Sequence, residues 1–126
     1  MGLDQNIIRR RADGSEISEI YWRKANFVHD YFTAGFYERG FDSDNCTEFP
    51  VDKKDLKLLA ELCDEVLEKP SEAPVLLPTV SGFFFGSTEY DEWYFEDVKF
   101  TRDEITKLLK DRPLQKGESM YYWAWY

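Results

Sequence analysis

Between Glu89 and Asp97 the chain interleaves five carboxylates, Glu89, Asp91, Glu92, Glu96 and Asp97, with four rings, Tyr90, Trp93, Tyr94 and Phe95. A helix can turn only one face inward, so some of these rings and most of the acids must share the surface. Exposed rings offer a partner apolar area, and carboxylates beside them set register against Lys and Arg. The stretch is a candidate docking surface for a protein with a basic face, contacted through Glu89, Asp91, Glu92, Trp93, Glu96 and Asp97. Asp42, Asp44 and Glu48 form a second acidic candidate patch. Their alternation suggests oxygen ligands for Ca²⁺, but an EF-hand loop needs Gly at its sixth position and Glu at its twelfth. Counted from Asp42, those positions hold Thr47 and Lys53.

A different chemistry is available to Tyr21, Trp22, Arg23, Lys24, Asn26 and His29, taken with Ser81, Ser87 and Thr88. If Gly86-Ser87-Thr88 opens a helix, its backbone N–H groups and dipole favour a phosphate, and Arg23 and Lys24 could complete the pocket. This alternative reads the chain as a small-ligand binder or minor enzyme for a nucleotide or phosphorylated metabolite. Against it, Glu89, Asp91 and Glu92 fill the same first turn and repel an anion. The single histidine and the scattered Cys46 and Cys63 lack metal-ligand spacing, so no metal and no cofactor are expected. Nothing in the spacing supports a Cys46–His29 nucleophile pair. No catalytic residue is assigned, and binding is favoured over catalysis.

The elements that must position these groups follow from periodicity. Residues 3–11 and 17–21 read as strands joined at Asp13-Gly14, and about Arg23 to Tyr37 as a helix. A polar loop over 40–51 leads to the clearest helix, which Asp52 caps with Asp55 three residues on and Pro70 ends. Cys63 falls on its buried stripe with Leu56, Leu59, Val66 and Leu67. Val75-Leu76-Leu77 is a short apolar stretch between prolines, and Ser81–Gly86 reads as a buried strand. Ser87 is expected to cap a third helix whose inner face is Tyr94, Val98, Thr101, Ile105 and Leu108. Met120 to Tyr126 suits a closing strand. The order predicts one α+β domain, three helices on a small, mainly antiparallel sheet.

Composition narrows the classes. The chain has 126 residues, 43% of them hydrophobic and 17% aromatic, enough for one core without disulfides or metals. Its net charge of −9 opposes nucleic acid and anionic membranes. Eleven acids against five bases over residues 38–72 concentrate that charge. The opening Met1–Asn6 has neither a basic flank nor an apolar run, so a cytoplasmic protein with two free thiols is expected. No stretch is apolar for long enough to cross a bilayer, and nothing fixes a subunit count.

Three segments together resemble a family of small bacteriophage and prophage proteins. They are Met1-Gly2-Leu3-Asp4; Tyr21-Trp22-Arg23-Lys24-Ala25-Asn26 with His29 and Asp44-Asn45-Cys46; and Leu76–Glu92, centred on Ser81-Gly82-Phe83-Phe84-Phe85-Gly86-Ser87-Thr88-Glu89-Tyr90-Asp91-Glu92. The likeness covers most of the chain, the tail loosely, and Gln5-Asn6-Ile7-Ile8 departs from the aromatic-rich strand usual after the opening. It implies a phage origin and action inside a bacterial cell, and carries no activity with it. With the acidic-aromatic stretch, the expectation is a non-enzymatic accessory protein that binds and inhibits a host protein, such as a defence protein, through a basic surface of that host protein.

Overall fold

Alternating side chains make strands of both ends of the chain, and the ends pair with each other. The structure, a computed structural model, describes residues 2–82 and 84–126. β1 (Asp4–Arg10) lies between β2 (Glu16–Arg23) and β4 (Ser119–Trp125), and the short β3 (Phe49–Val51) flanks β4, giving an antiparallel order β2-β1-β4-β3. Gln5, Ile7 and Arg9 of β1 turn inward, level with Trp22 and Ile20 on one side and with Ala124, Tyr122 and Met120 on the other. Their apolar members join one core with α1 (Asn26–Thr33), α2 (Lys53–Glu68), the one-turn α3 (Ala73–Leu76) and α4 (Glu92–Asp111). The opposite face of the sheet carries Asp4, Asn6, Ile8 and Arg10 and stands outside that core.

The α+β class is as expected, but the described residues hold four α-helices where three were expected. The addition is α3, in which Pro74 sits in the first turn, where its missing N–H costs nothing. α2 carries the expected capping box: the Asp55 N–H donates to Asp52 Oδ1 at 3.0 Å, and the Asp52 N–H to Asp55 Oδ2 at 2.9 Å. Cys63 is fully buried, and burial pushes its thiol up to about 12. The inner face of α4 is the expected set, Tyr94, Val98, Thr101, Ile105 and Leu108.

Two boundaries differ. The helix expected from about Arg23 to Tyr37 runs only from Asn26 to Thr33, because Trp22 and Arg23 continue β2 in register with Gln5 and Asp4. Lys24 then turns the chain at φ +57°, and Gly35 at φ +68° stops the helix. Among the described residues of Ser81–Gly86 the expected strand does not form. Phe83 lies outside the described residues, and the others are irregular, with Phe84 at φ +64° and Gly86 at φ +86°, left-handed values that break a pleat.

A bulge between Ile20 and Ser18 leaves Glu19 without a partner in β1 and aims it at Arg9. Arg9 is buried; its Nε donates to Glu19 at 2.8 Å and its Nη1 to Glu118 at 2.7 Å, while Nη2 donates to the carbonyl of Arg112. Arg112 approaches Glu19 at 3.4 Å from the end of α4. One guanidinium thus ties the central strand, the edge bulge and the α4–β4 turn. Removing one partner of a buried pair strands the other charge, so Arg9→Met should cost about 3–5 kcal/mol in urea unfolding. Replacing Glu19 by Gln in the same chain should recover part of that loss; no loss in the single variant would show the cluster to be incidental.

Candidate functional site

The β2–α1 corner and the loop before α4 meet at a cleft. Asn26, the first residue of α1, donates through Nδ2 to the carbonyls of Phe85 (3.1 Å) and Ser87 (2.9 Å) and accepts from the Val80 N–H at 3.1 Å. One carboxamide therefore pins residues 80–87 to the corner. Gly86 rests on Lys24: a Cβ there would lie 3.2 Å from that side chain. The Tyr90 ring stands edge-on to Tyr94 at 5.0 Å, and its hydroxyl accepts from the Thr79 N–H at 3.1 Å. These contacts carry the chain past Ser87, and Asp91 becomes the cap, accepting from the Tyr94 N–H at 3.1 Å.

The expectation that Gly86-Ser87-Thr88 opens the helix is thereby corrected. Ser87 Oγ accepts from Glu89 N at 3.0 Å, the Thr88 carbonyl accepts from Thr79, and the helix begins at Glu92. Of its N-terminal N–H groups, that of Tyr94 is taken by the Asp91 carboxylate.

The cleft measures about 200 Å³, and Arg23, Lys24, Asn26 and Ser87 share its walls with Glu89, Asp91, Trp93 and Asp97. Part of each candidate set is thus drawn together, and the remainder is dispersed. Trp22 is core, its indole donating to Thr101 Oγ1 at 2.9 Å. Tyr21 turns to the other face of the sheet, and its hydroxyl donates to Asp4. His29 and Ser81 line a separate cavity of about 460 Å³ with Asp44 and Tyr126.

Donor counting settles the state of His29, which is 1% exposed. Gln5 Oε1 accepts from the Ala25 N–H at 2.9 Å, so its Nε2 is a donor, to the Ala25 carbonyl at 2.8 Å and to Tyr122 Oη at 3.1 Å. The Tyr122 proton then goes to His29 Nδ1 at 2.8 Å, and Nε2–H donates to Asp44 Oδ2 at 3.0 Å. Tyr126 donates to the other Asp44 oxygen. The imidazole is neutral and both nitrogens are occupied, so it cannot serve Ser81 or Cys46 as a base. Burial lowers the His29 pKa, outweighing the Asp44 carboxylate. Asp44 itself is raised by burial but held below the usual range by hydrogen bonds from Tyr126 and His29.

Of the second acidic patch only Asp44 is drawn inward, taken up by His29 and Tyr126; Glu48 is exposed and paired with Arg10 at 3.1 Å, and Asp42 is exposed. Among the described residues no group of three or more His, Cys, Asp or Glu could hold a metal, and no helix is long and apolar enough to cross a membrane. Glu89, Glu92, Glu96 and Trp93 are exposed, Trp93 to 68%. Asp97 is half-buried, and burial, with Glu96 beside it, raises its pKa to about 6. Sequence reasoning missed Gln5 and Arg9, whose polar side chains at inward positions of a strand were the available signal.

No family model matches this chain, and no curated protein or solved structure matches it significantly.

His29 and Asp97 give opposite pH signatures. The unfolded chain protonates His29 near its ordinary value of about 6.5 and the folded chain resists, so this stability is present above about pH 6.5 and lost as pH falls below it. Asp97, raised to about 6, contributes stability at low pH that is lost as pH rises through that value. Thermal melts across pH should therefore find Asp97→Asn more stable than the parent at pH 8 and no better at pH 4. His29→Gln should flatten the acid limb; an unchanged acid limb would place the titration elsewhere.

Proposed function

We propose that the chain is a non-enzymatic binding protein, of the phage accessory kind its motifs resemble, that docks on a basic surface of a host protein through the N-terminal half of α4. One observation carries the reading: the Trp93 indole stands 68% exposed among Glu89, Glu92 and Glu96, none of which is ion-paired among the described residues. Phe100, two turns further along the same side, adds a second exposed ring. Unneutralised carboxylates around an aromatic anchor suit Lys and Arg on a partner, and the contact would be salt-sensitive, since exposed charges are screened over about 10 Å at 0.1 M. Inhibition of a host activity would follow from occlusion of the surface bound.

The phosphate-binding alternative rests on Arg23, Lys24 and Ser87 sharing one cleft. The carboxylates of Glu89, Asp91 and Asp97 in the same walls weaken it for any anion. A raised melting temperature with a nucleotide panel would favour it.

The docking reading is tested by capture from bacterial lysate over a salt series, comparing the parent chain with Trp93→Ala and with Glu92→Lys/Glu96→Lys. A partner retained at low salt should be released as salt rises and lost by both variants. Trp93→Ala should weaken binding to the purified partner about thirtyfold or more, the scale of an interface hot spot. Retention of the same proteins by all three chains at every salt would refute it.

A further inference from the structure

The helices cover one face of the sheet and leave the other carrying rings. Cross-strand pairing sets Tyr21, Asn6 and Trp123 in one row and Arg23, Asp4 and Trp125 in the next. Residues directly opposite each other project to the same side. Trp123 lies outside the core, Trp125 is 55% exposed and Tyr21 50%. Tyr21 and Trp123 are two strand spacings apart, about 10 Å, with Asn6 between them. None of these three rings has a ring partner within the chain among the described residues.

The strip between the rings is polar and only half satisfied. Ser18 Oγ donates to Asn6 Oδ1 at 2.7 Å, which leaves the Asn6 N–H₂ facing outward with no acceptor among the described residues. Tyr21 donates to Asp4 Oδ1, and the other Asp4 oxygen has no donor among the described residues. The indole N–H groups of Trp123 and Trp125 have no acceptor among the described residues.

These features select among occupants. A dry, wholly apolar partner surface would bury those donors unsatisfied, at about 1–3 kcal/mol each. Nucleic acid and anionic lipid need clustered cations, yet on this face Arg10 is held by Glu16 and Glu48, exposed Arg23 lies level with the Asp4 carboxylate, and the chain carries −9. A neutral polyhydroxylated ring fits both halves of the surface. Its C–H face stacks on aromatic rings, and its hydroxyls both accept from amide and indole N–H groups and donate to a carboxylate. We infer that the uncovered sheet face is a binding site for a neutral carbohydrate, stacked on Tyr21, Trp123 and Trp125 and hydrogen-bonded by Asn6 and Asp4. This site stands apart from α4 and independent of the docking reading.

The test is a ¹H–¹⁵N NMR titration with soluble neutral oligosaccharides of glucose and of N-acetylglucosamine. The Trp123 and Trp125 indoles and the Asn6 side-chain amide should shift with at least one of them, while buried Trp22 and the α4 residue Trp93 stay fixed. The affinity should be indifferent to salt. Asn6→Ala and Trp125→Ala, both surface changes, should each weaken it about tenfold. The inference is overturned if no sugar moves the Trp123 and Trp125 signals, if they move with protein concentration alone, as in self-association, or if they respond only to a single-stranded oligonucleotide.

Discussion

Two hydrogen bonds between the Gln5 carboxamide and the Ala25 backbone hold the corner from which the surface around Trp93 is positioned. They join the central strand to the turn between β2 and α1, where Lys24 stands in a left-handed conformation. That turn delivers Asn26, and Asn26 in turn seizes the loop over residues 80–87. The loop decides where α4 begins, and so which way Trp93 and the acids around it face. A side chain in the middle of a sheet thus sets the orientation of a helix far along the chain.

The same economy governs charge. No buried side-chain nitrogen or oxygen among the described residues lacks a hydrogen-bond partner. Arg9 is matched by two glutamates, and His29 stays neutral because its neighbours' protons already run in one direction. What remains unpaired lies outside: the carboxylates around Trp93, and the amide and indole groups on the bare face of the sheet. These two surfaces differ in kind. The first offers negative charge around an anchor; the second offers flat rings around neutral donors.

α2 and α4 were legible because their apolar residues recur at three and four; the inner face of α4 follows the pattern residue by residue, and that of α2 does except at Leu67, which is only partly buried. The end of β2 was not, since Trp22 is buried equally well by a strand or a helix, and only pairing with Gln5 decides. Both Ser87 and Asp91 are residue types that cap helices; the choice between them depends on Tyr90 reaching Thr79, a contact no local window contains. His29 was readable as a helical histidine, but its lock between Tyr122 and Asp44 joins residues 93 and 15 positions away. Met120 to Tyr126 read as a strand, whereas the exposure of Trp125 and the burial of Tyr122 depend on which face the helices cover.

The docking surface is tested most directly by hydroxyl-radical footprinting of the chain in low-salt bacterial lysate and in buffer, read at Trp93 with exposed Tyr37 as internal reference. If the N-terminal half of α4 engages a partner, Trp93 oxidation falls in lysate relative to Tyr37 and recovers as salt is raised. Trp93 as reactive in lysate as in buffer, at every salt, would contradict a docking role for that face.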